Sequence, residues 1–194
     1  MRLLPAADRV ATPWKNGGGV TREIAAFPPG AGMDGFGWRV SLADVAADGP
    51  FSTFPGVDRV LTVIEGAGLV LDVEDEVVTL DAASPPLAFA GEAKVTARLT
   101  GGPIGDLNLM VRRGGWRARA RRLTVTGAVQ LVTEADVTLV LALDALRITG
   151  PDGGVDLAPL DAVMLEGEGS RLSLDSHGRT LIAEIDIDLT HHLK

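Results

Sequence analysis

The sequence predicts an all-β protein, an antiparallel jelly roll closed or sandwiched on itself, and three observations carry that prediction. Short segments rich in Val, Ile, Leu and Thr alternate apolar with polar side chains, the period-two pattern of strands with one buried face. Clusters of Gly, Pro and Asp separate them at close intervals, as tight turns do. Helical periodicity is weak throughout: Leu42–Ala47, LADVAA, is at most one turn. About a dozen short strands suit a jelly roll.

In chain order, Val20–Phe27 follows a run of three glycines and reads as the first long strand. Trp38–Leu42 sets Trp38, Val40 and Leu42 on one face and Arg39 and Ser41 on the other. Arg59–Glu65 aligns Arg59, Leu61, Val63 and Glu65 opposite Asp58, Val60, Thr62 and Ile64. Gly68–Val73 and Glu76–Leu80 flank an acidic turn, and Lys94–Leu99 follows. Leu107–Arg112 opposes Leu107, Leu109 and Val111 to Asp106, Asn108, Met110 and Arg112. The remaining strands are Arg119–Thr126, Val137–Leu143, Leu146–Thr149, Asp161–Leu165, Arg171–Leu174 and Thr180–Ile187, with DSHGR (residues 175–179) as a turn.

Two segments resemble one another: RVLTVIEGAGLVLDVEDEVVTL (Arg59–Leu80) and LDAVMLEGEGSRLSLDSHGRTLIAEI (Leu160–Ile185). Each gives a strand ending in Glu-Gly-x-Gly, an alternating strand, an acidic turn and another strand. A duplicated barrel explains this, and so does one sandwich with similar turns. The boundary of a duplication falls near Gly127-Ala128, where no linker rich in Pro, Ser or charge separates the halves.

Composition removes several functions. A net charge of −8 argues against nucleic acid and anionic lipid. The arginine-dense RRGGWRARARR (Arg112–Arg122) alternates with small residues, as on the solvated face of an edge strand. With no cysteine there is no disulfide, thiolate metal site or cysteine nucleophile, which fits a reducing cytoplasm. No secretory leader or run of about 18 apolar residues is present, so the chain reads as soluble. His177, His191 and His192 are the only histidines, and the adjacent pair points to opposite faces of a strand. No metal spacing, Gly-x-Ser-x-Gly elbow or phosphate loop exists, since PWKNGGGVT departs from Gly-x-x-x-x-Gly-Lys-Ser/Thr.

What remains is a set of polar groups on strand faces. Lys15, Arg39, Arg59 and Arg112 offer donors to an anion, and Asn16, Ser41 and Asn108 neutral hydrogen bonds, which together suit a small carboxylate. Asp58 and Asp106 would orient the arginines or recognise an amino or amide group. Trp14, Phe51 and Phe54 are candidate walls. The glycines of PWKNGGGVTRE let the backbone run close beside a pocket mouth, with Lys15 and Asn16 on its rim.

PWKNGGGVTREI, GWRVSLADVAADGPFSTFPGVDRVLTVIEGAGLVL and AFAGEAKVTARLTGGPIGDLNLMVRRG resemble, in that order, the three signature blocks of the HutD/Ves family, associated with bacterial histidine utilisation. The resemblance covers residues 13–115 and is general beyond Trp116. It implies a bicupin of two RmlC-like jelly-roll barrels, an N-terminal cupin over 1–127 and a C-terminal cupin half over 128–194 with strands exchanged between them. Most cupins carry histidines on the strand before the Gly-x-Gly turn. FPGVDRVLTVIEG has Asp58-Arg59 there, which implies a metal-free, cofactor-free cupin. Glu92 stands where the family's F-x-G-D element has Asp. The function implied is cytoplasmic binding of a carboxylate intermediate of histidine breakdown, formylglutamate or urocanate, without turnover and without catalytic residues. The alternative is a metal-free isomerase or hydrolase using Asp58, Asp106 or Lys15 as acid or base. Cupins commonly dimerise through strand edges, so a homodimer is the expectation of fold analogy.

Overall fold

The computed structural model describes residues 1–14, 17–151 and 153–187, and its long elements are all strands. No helix among the described residues is long and apolar enough to cross a membrane. The chain divides into two compact units. One is residues 10–116; the other joins residues 1–9 to the chain from Arg117 onward.

The second unit begins with β1 (Arg2–Leu4), and the first holds β2 (Ala11–Pro13), β3 (Gly19–Phe27), β4 (Trp38–Val45), β5 (Gly49–Pro50), β6 (Val57–Glu65), β7 (Leu69–Val73), β8 (Glu76–Leu80), β9 (Leu87–Ala90), β10 (Val95–Leu99) and β11 (Ile104–Arg112). Two sheets form, in the orders β2-β3-β4-β11-β6-β9 and β5-β10-β7-β8. Their inner faces share a core in which Leu61 and Val63 of β6 meet Leu69, Leu71, Val95 and Ala97 of the smaller sheet. Alternation drives this: in β10 the burial runs buried, exposed, buried, exposed from Val95, because only one side of the pleat meets the other sheet.

The chain continues with β12 (Trp116–Val132), β13 (Val137–Ala142), β14 (Leu146–Gly150), β15 (Gly153–Leu157), β16 (Ala162–Glu166) and β17 (Arg171–Ile187). One curled sheet runs β1-β16-β13-β17-β14-β15, with β12 also on β17. Residues from β12 through β17 close its core, Val125, Val140, Ile148, Val163 and Ile182 among them. The division between units falls between Trp116 and Arg117, and Gly127-Ala128 lies inside β12.

Two readings of the sequence change. DSHGR is not a turn: it lies within β17, which pairs β14 through residues 173–175 and β13 through residues 180–185. At the changeover the Asp144 carboxylate accepts from the Arg179 N–H at 2.7 Å and from its guanidinium at 3.0 and 3.1 Å. A local polar clamp thus looks like turn chemistry in the sequence.

The internal repeat also shifts register. In the first unit β7 and β8 form a hairpin, β10 adds to β7, and β11 and β9 flank β6. In the second, β14 and β15 form the hairpin, the start of β17 adds to β14, and the end of β17 and β16 flank β13. The counterpart of residues 57–80 is therefore residues 137–157, and the matching Glu-Gly-x-Gly motifs reflect shared turn chemistry. The arginine-rich run of β12 keeps the solvated face that alternation predicts, with Arg117, Arg119 and Arg121 exposed. Arg119 holds the buried Glu184 carboxylate at 2.8 Å, with Arg121 at 3.6 Å.

Gly68 tests the β6–β7 turn. Its φ is +104°, and a Cβ there would sit 2.4 Å from the Leu80 carbonyl oxygen. Gly68→Ala is expected to destabilise the protein by about 1–3 kcal/mol from backbone strain alone, read as a lower urea midpoint at constant m. An unchanged midpoint would contradict the turn geometry.

Candidate functional site

The large sheet of the first unit presents one polar face. Register aligns it: Met110 of β11 lies between Arg39 of β4 and Arg59 of β6, Asn108 between Ser41 and Leu61, and Asp106 between Ala43 and Val63. The pairing shifts between Gly105 and Asp106, a bulge that re-aims the strand beside Asp106. This face bounds a cavity of about 690 Å³ lined also by Trp14, Phe51 and Phe54.

Arg59 is the unusual member. It is 5% exposed, and its guanidinium carbon lies 5.3, 5.6 and 5.1 Å from the ring centres of Phe51, Phe54 and Phe89. Its Nη1 donates to the Ser52 carbonyl at 3.3 Å, and Nε has no partner among the described residues. Burial lowers its pKa to about 10, partly opposed by the negative charge of Asp106. Rings can attract a cation, but they do not neutralise it.

Arg39 differs. Its Nε donates to Glu23 at 2.8 Å and its Nη1 to the Ser41 hydroxyl at 3.4 Å, so its charge is already matched. The Glu23 partnership is invisible in simple alternation, because β3 carries a bulge between Glu23 and Ala25.

Asp106 is 2% exposed, and its Oδ1 has no partner among the described residues; nor has Asn108 Oδ1. Burial raises the Asp106 carboxyl to about 7, with Arg59 opposing and Asp44 adding to the shift.

Five of the sequence candidates therefore meet at one cavity: Arg39, Ser41, Arg59, Asp106 and Asn108. Asp58 and Arg112 do not line it. Asp58 takes the opposite side of β6 and accepts from Arg113 at 2.6 Å, in a surface network where Arg113 also holds Glu92 at 2.8 Å. That hydrogen bond, first, keeps the Glu92 carboxyl below its ordinary pKa. Arg112 reaches away to the Phe36 and Asp34 carbonyls, both at 3.2 Å. Lys15 and Asn16 lie outside the described residues.

All three candidate wall aromatics line the cavity, and sequence reading missed Phe89, which cross-strand pairing sets opposite Arg59. The glycine run has a local cause. The Trp14 Nε1–H donates to the Thr21 hydroxyl at 2.7 Å, and a Cβ on Gly19 would lie 3.1 Å from the indole and 2.4 Å from the Asp44 carbonyl oxygen. Only glycine lets the indole and β4 approach together there.

The cavity's donor set does not fit a resident metal. No three His, Cys, Asp or Glu side chains converge among the described residues, and the wall instead presents two arginines.

The curled antiparallel sheets form a cupin-like fold: a cupin 2 conserved barrel domain protein from Leptotrichia buccalis is similar in fold at a TM-score of 0.56 and 10% identity, over 88% of this chain and 89% of that one. More specifically, the HutD family model matches residues 6–182, and the chain belongs to the HutD family. It is 37% identical to a 21.2 kDa protein of the hutC 3' region in Pseudomonas putida, over 95% of this chain and 97% of the relative. It is 44% identical to protein Ves of Citrobacter koseri over 56% of each. HutD from Pseudomonas fluorescens SBW25, solved in a formate condition, is similar at a TM-score of 0.81 and 37% identity, covering 96% of this chain and 98% of that one.

Asp106 yields a pH prediction. Its carboxyl moves from 3.8 up to about 7 on folding, so the folded state binds the proton more tightly. The associated stability is fully present below about pH 4 and is lost as pH rises through about 7. Asp106→Asn, uncharged throughout, should gain on the wild type by a few kcal/mol, as an order of magnitude, between pH 4 and 8. Denaturant titrations at both ends check this, and parallel curves would refute it.

Proposed function

We propose that the chain is a metal-independent bicupin that binds a small carboxylate in the cavity of residues 10–116 and so modulates histidine utilisation without consuming the ligand. The observation that carries this reading is Arg59, a buried guanidinium facing a cavity with no carboxylate bonded to it and one nitrogen unpaired. An anion entering there would neutralise the charge inside a ring-lined, low-dielectric site, where charge-assisted hydrogen bonds are strongest. The family's link to histidine utilisation narrows the anion to a carboxylate of that breakdown, formylglutamate or urocanate, and the repeated strand pairing of the two units supports the two-barrel reading. The cytoplasm is the compartment for such a role, and the lack of cysteine fits it.

Isothermal titration with formylglutamate, urocanate, glutamate and formate tests the reading. Heat from at least one is expected; silence from all four removes it. Arg59→Met is the sharper variant. Replacing a buried, unneutralised cation by an apolar chain of similar length should leave stability equal or higher, while the carboxylate loses about 1.5–3 kcal/mol of affinity. Unchanged affinity in a folded Arg59→Met protein places the anion elsewhere.

A second reading is favoured by one observation. A buried carboxyl raised to about 7 beside a cavity, as Asp106 is, has the protonation behaviour of a general acid or base. Under it, chelator-treated protein should turn over a pathway metabolite, and Asp106→Asn should abolish the turnover.

A further inference from the structure

Arg59 accounts for one end of the polar wall and leaves the other end unsatisfied. Asp106 and Asn108 are two residues apart on β11, so their side chains share a face, and both line the cavity. Asp106 Oδ1 and Asn108 Oδ1 are buried without a hydrogen-bond partner among the described residues. Asn108 Oδ1 is an acceptor, and so is Asp106 Oδ1 once its carboxyl is ionised. The side chains beside Asp106 in register, Ala43 and Val63, carry no donor; beside Asn108 stand Leu61, which has none, and Ser41, whose hydroxyl takes the Arg39 Nη1–H at 3.4 Å and leaves Asn108 Oδ1 unpaired. A carboxylate bound at Arg59 brings only more acceptors and cannot fill this need.

We propose that Asp106 and Asn108 form a second subsite that takes an N–H donor, so that the ligand is a carboxylate carrying an amide or azole N–H at its far end. The inference rests on the carboxylate reading of Arg59 and adds the chemistry of the opposite end. Asp106 stands four residues along β11 from Met110, the residue opposite Arg59, a run of roughly 13 Å. Formate cannot bridge that span, whereas an acid of urocanate or formylglutamate size can, with the guanidinium reaching inward. The wall is thus polarised: donor at one end, acceptors at the other. Discrimination follows from this arrangement, because an analogue without the N–H leaves the two acceptors buried and unpaired.

Matched ligand pairs read this directly in the intact protein. Urocanate is compared with 3-(2-furyl)acrylate, which has a ring oxygen and no N–H, and formylglutamate with glutarate, which lacks the formamido group. By titration calorimetry, the N–H member of at least one pair is expected to bind about ten- to a hundredfold more tightly. Asp106→Leu and, should that variant fail to fold, Asp106→Ala should bring the two members together, whereas Arg59→Met should weaken both alike. Equal binding within both pairs by wild-type protein overturns the donor subsite while leaving the carboxylate reading in place. A difference that survives loss of Asp106 overturns it too. No heat from any of the four removes the carboxylate reading and this inference with it.

Discussion

The first unit is organised around a guanidinium that the fold withholds from water without bonding it to a carboxylate. Arg59 sits on β6, which is bonded on both sides, to β11 through Met110 and to β9 through Phe89, so its backbone has no freedom to carry the charge outward. Phe51, Phe54 and Phe89 surround it within 6 Å of their ring centres. Desolvating a cation this far costs several kcal/mol unless something answers it. Rings, one carbonyl and the negative charge of Asp106 answer it in part, and burial still lowers its pKa to about 10. A fold that only needed an apolar wall would be more stable with Met or Leu at 59. The retained charge therefore belongs to the cavity.

The second unit holds the comparison that makes this specific. Leu61 and Thr138 each stand eight residues before the strand that follows their own, so Asn108, opposite Leu61, corresponds to Glu184, opposite Thr138. Glu184 is a buried carboxylate, and Arg119 bonds it at 2.8 Å. There the arginine and the carboxylate come from the same chain, and the position is closed electrostatically. In the first unit the corresponding residue is a neutral Asn with an unpaired carbonyl, and the nearby Arg59 lacks a bonded carboxylate. One pairing pattern thus carries an ion pair in one unit and half of one in the other.

How much of this was legible depended on the range of the interaction. Alternation within strands is local, and it correctly put Arg39 with Ser41, Arg59 with Leu61, and Asp106 with Asn108 and Met110 on single faces. It also separated Asp58 from Arg59, although Asp58 stayed a candidate as a group that would orient the arginines or recognise an amino or amide group; the Arg113 network that claims Asp58 spans 55 residues and cannot be read from spacing. Phe89 escaped because its role depends on β9 pairing β6 in one register. Glu23 escaped because a bulge breaks the period-two count. The misplaced repeat has the same origin: turn motifs are short and recur for local reasons, whereas the true correspondence lies in which strands pair, a property of the whole unit.

The same wall presents polar groups fixed by strand pairing. Ser41 is its only hydroxyl in the β4–β11–β6 rows, and Arg39 Nη1 reaches that oxygen at 3.4 Å, a contact that draws electron density from a would-be nucleophile. Asp106, whose carboxyl burial raises to about 7, stands two positions along β11 from Asn108, and its Oδ1 has no hydrogen-bond partner among the described residues. A site that recognises a ligand needs complementary donors and acceptors held rigidly. Three hydrogen-bonded strands hold Arg59, Asn108 and Asp106 at fixed register, and the unpaired atoms they present, one donor nitrogen and two acceptor oxygens, are what a dipolar ligand would complete.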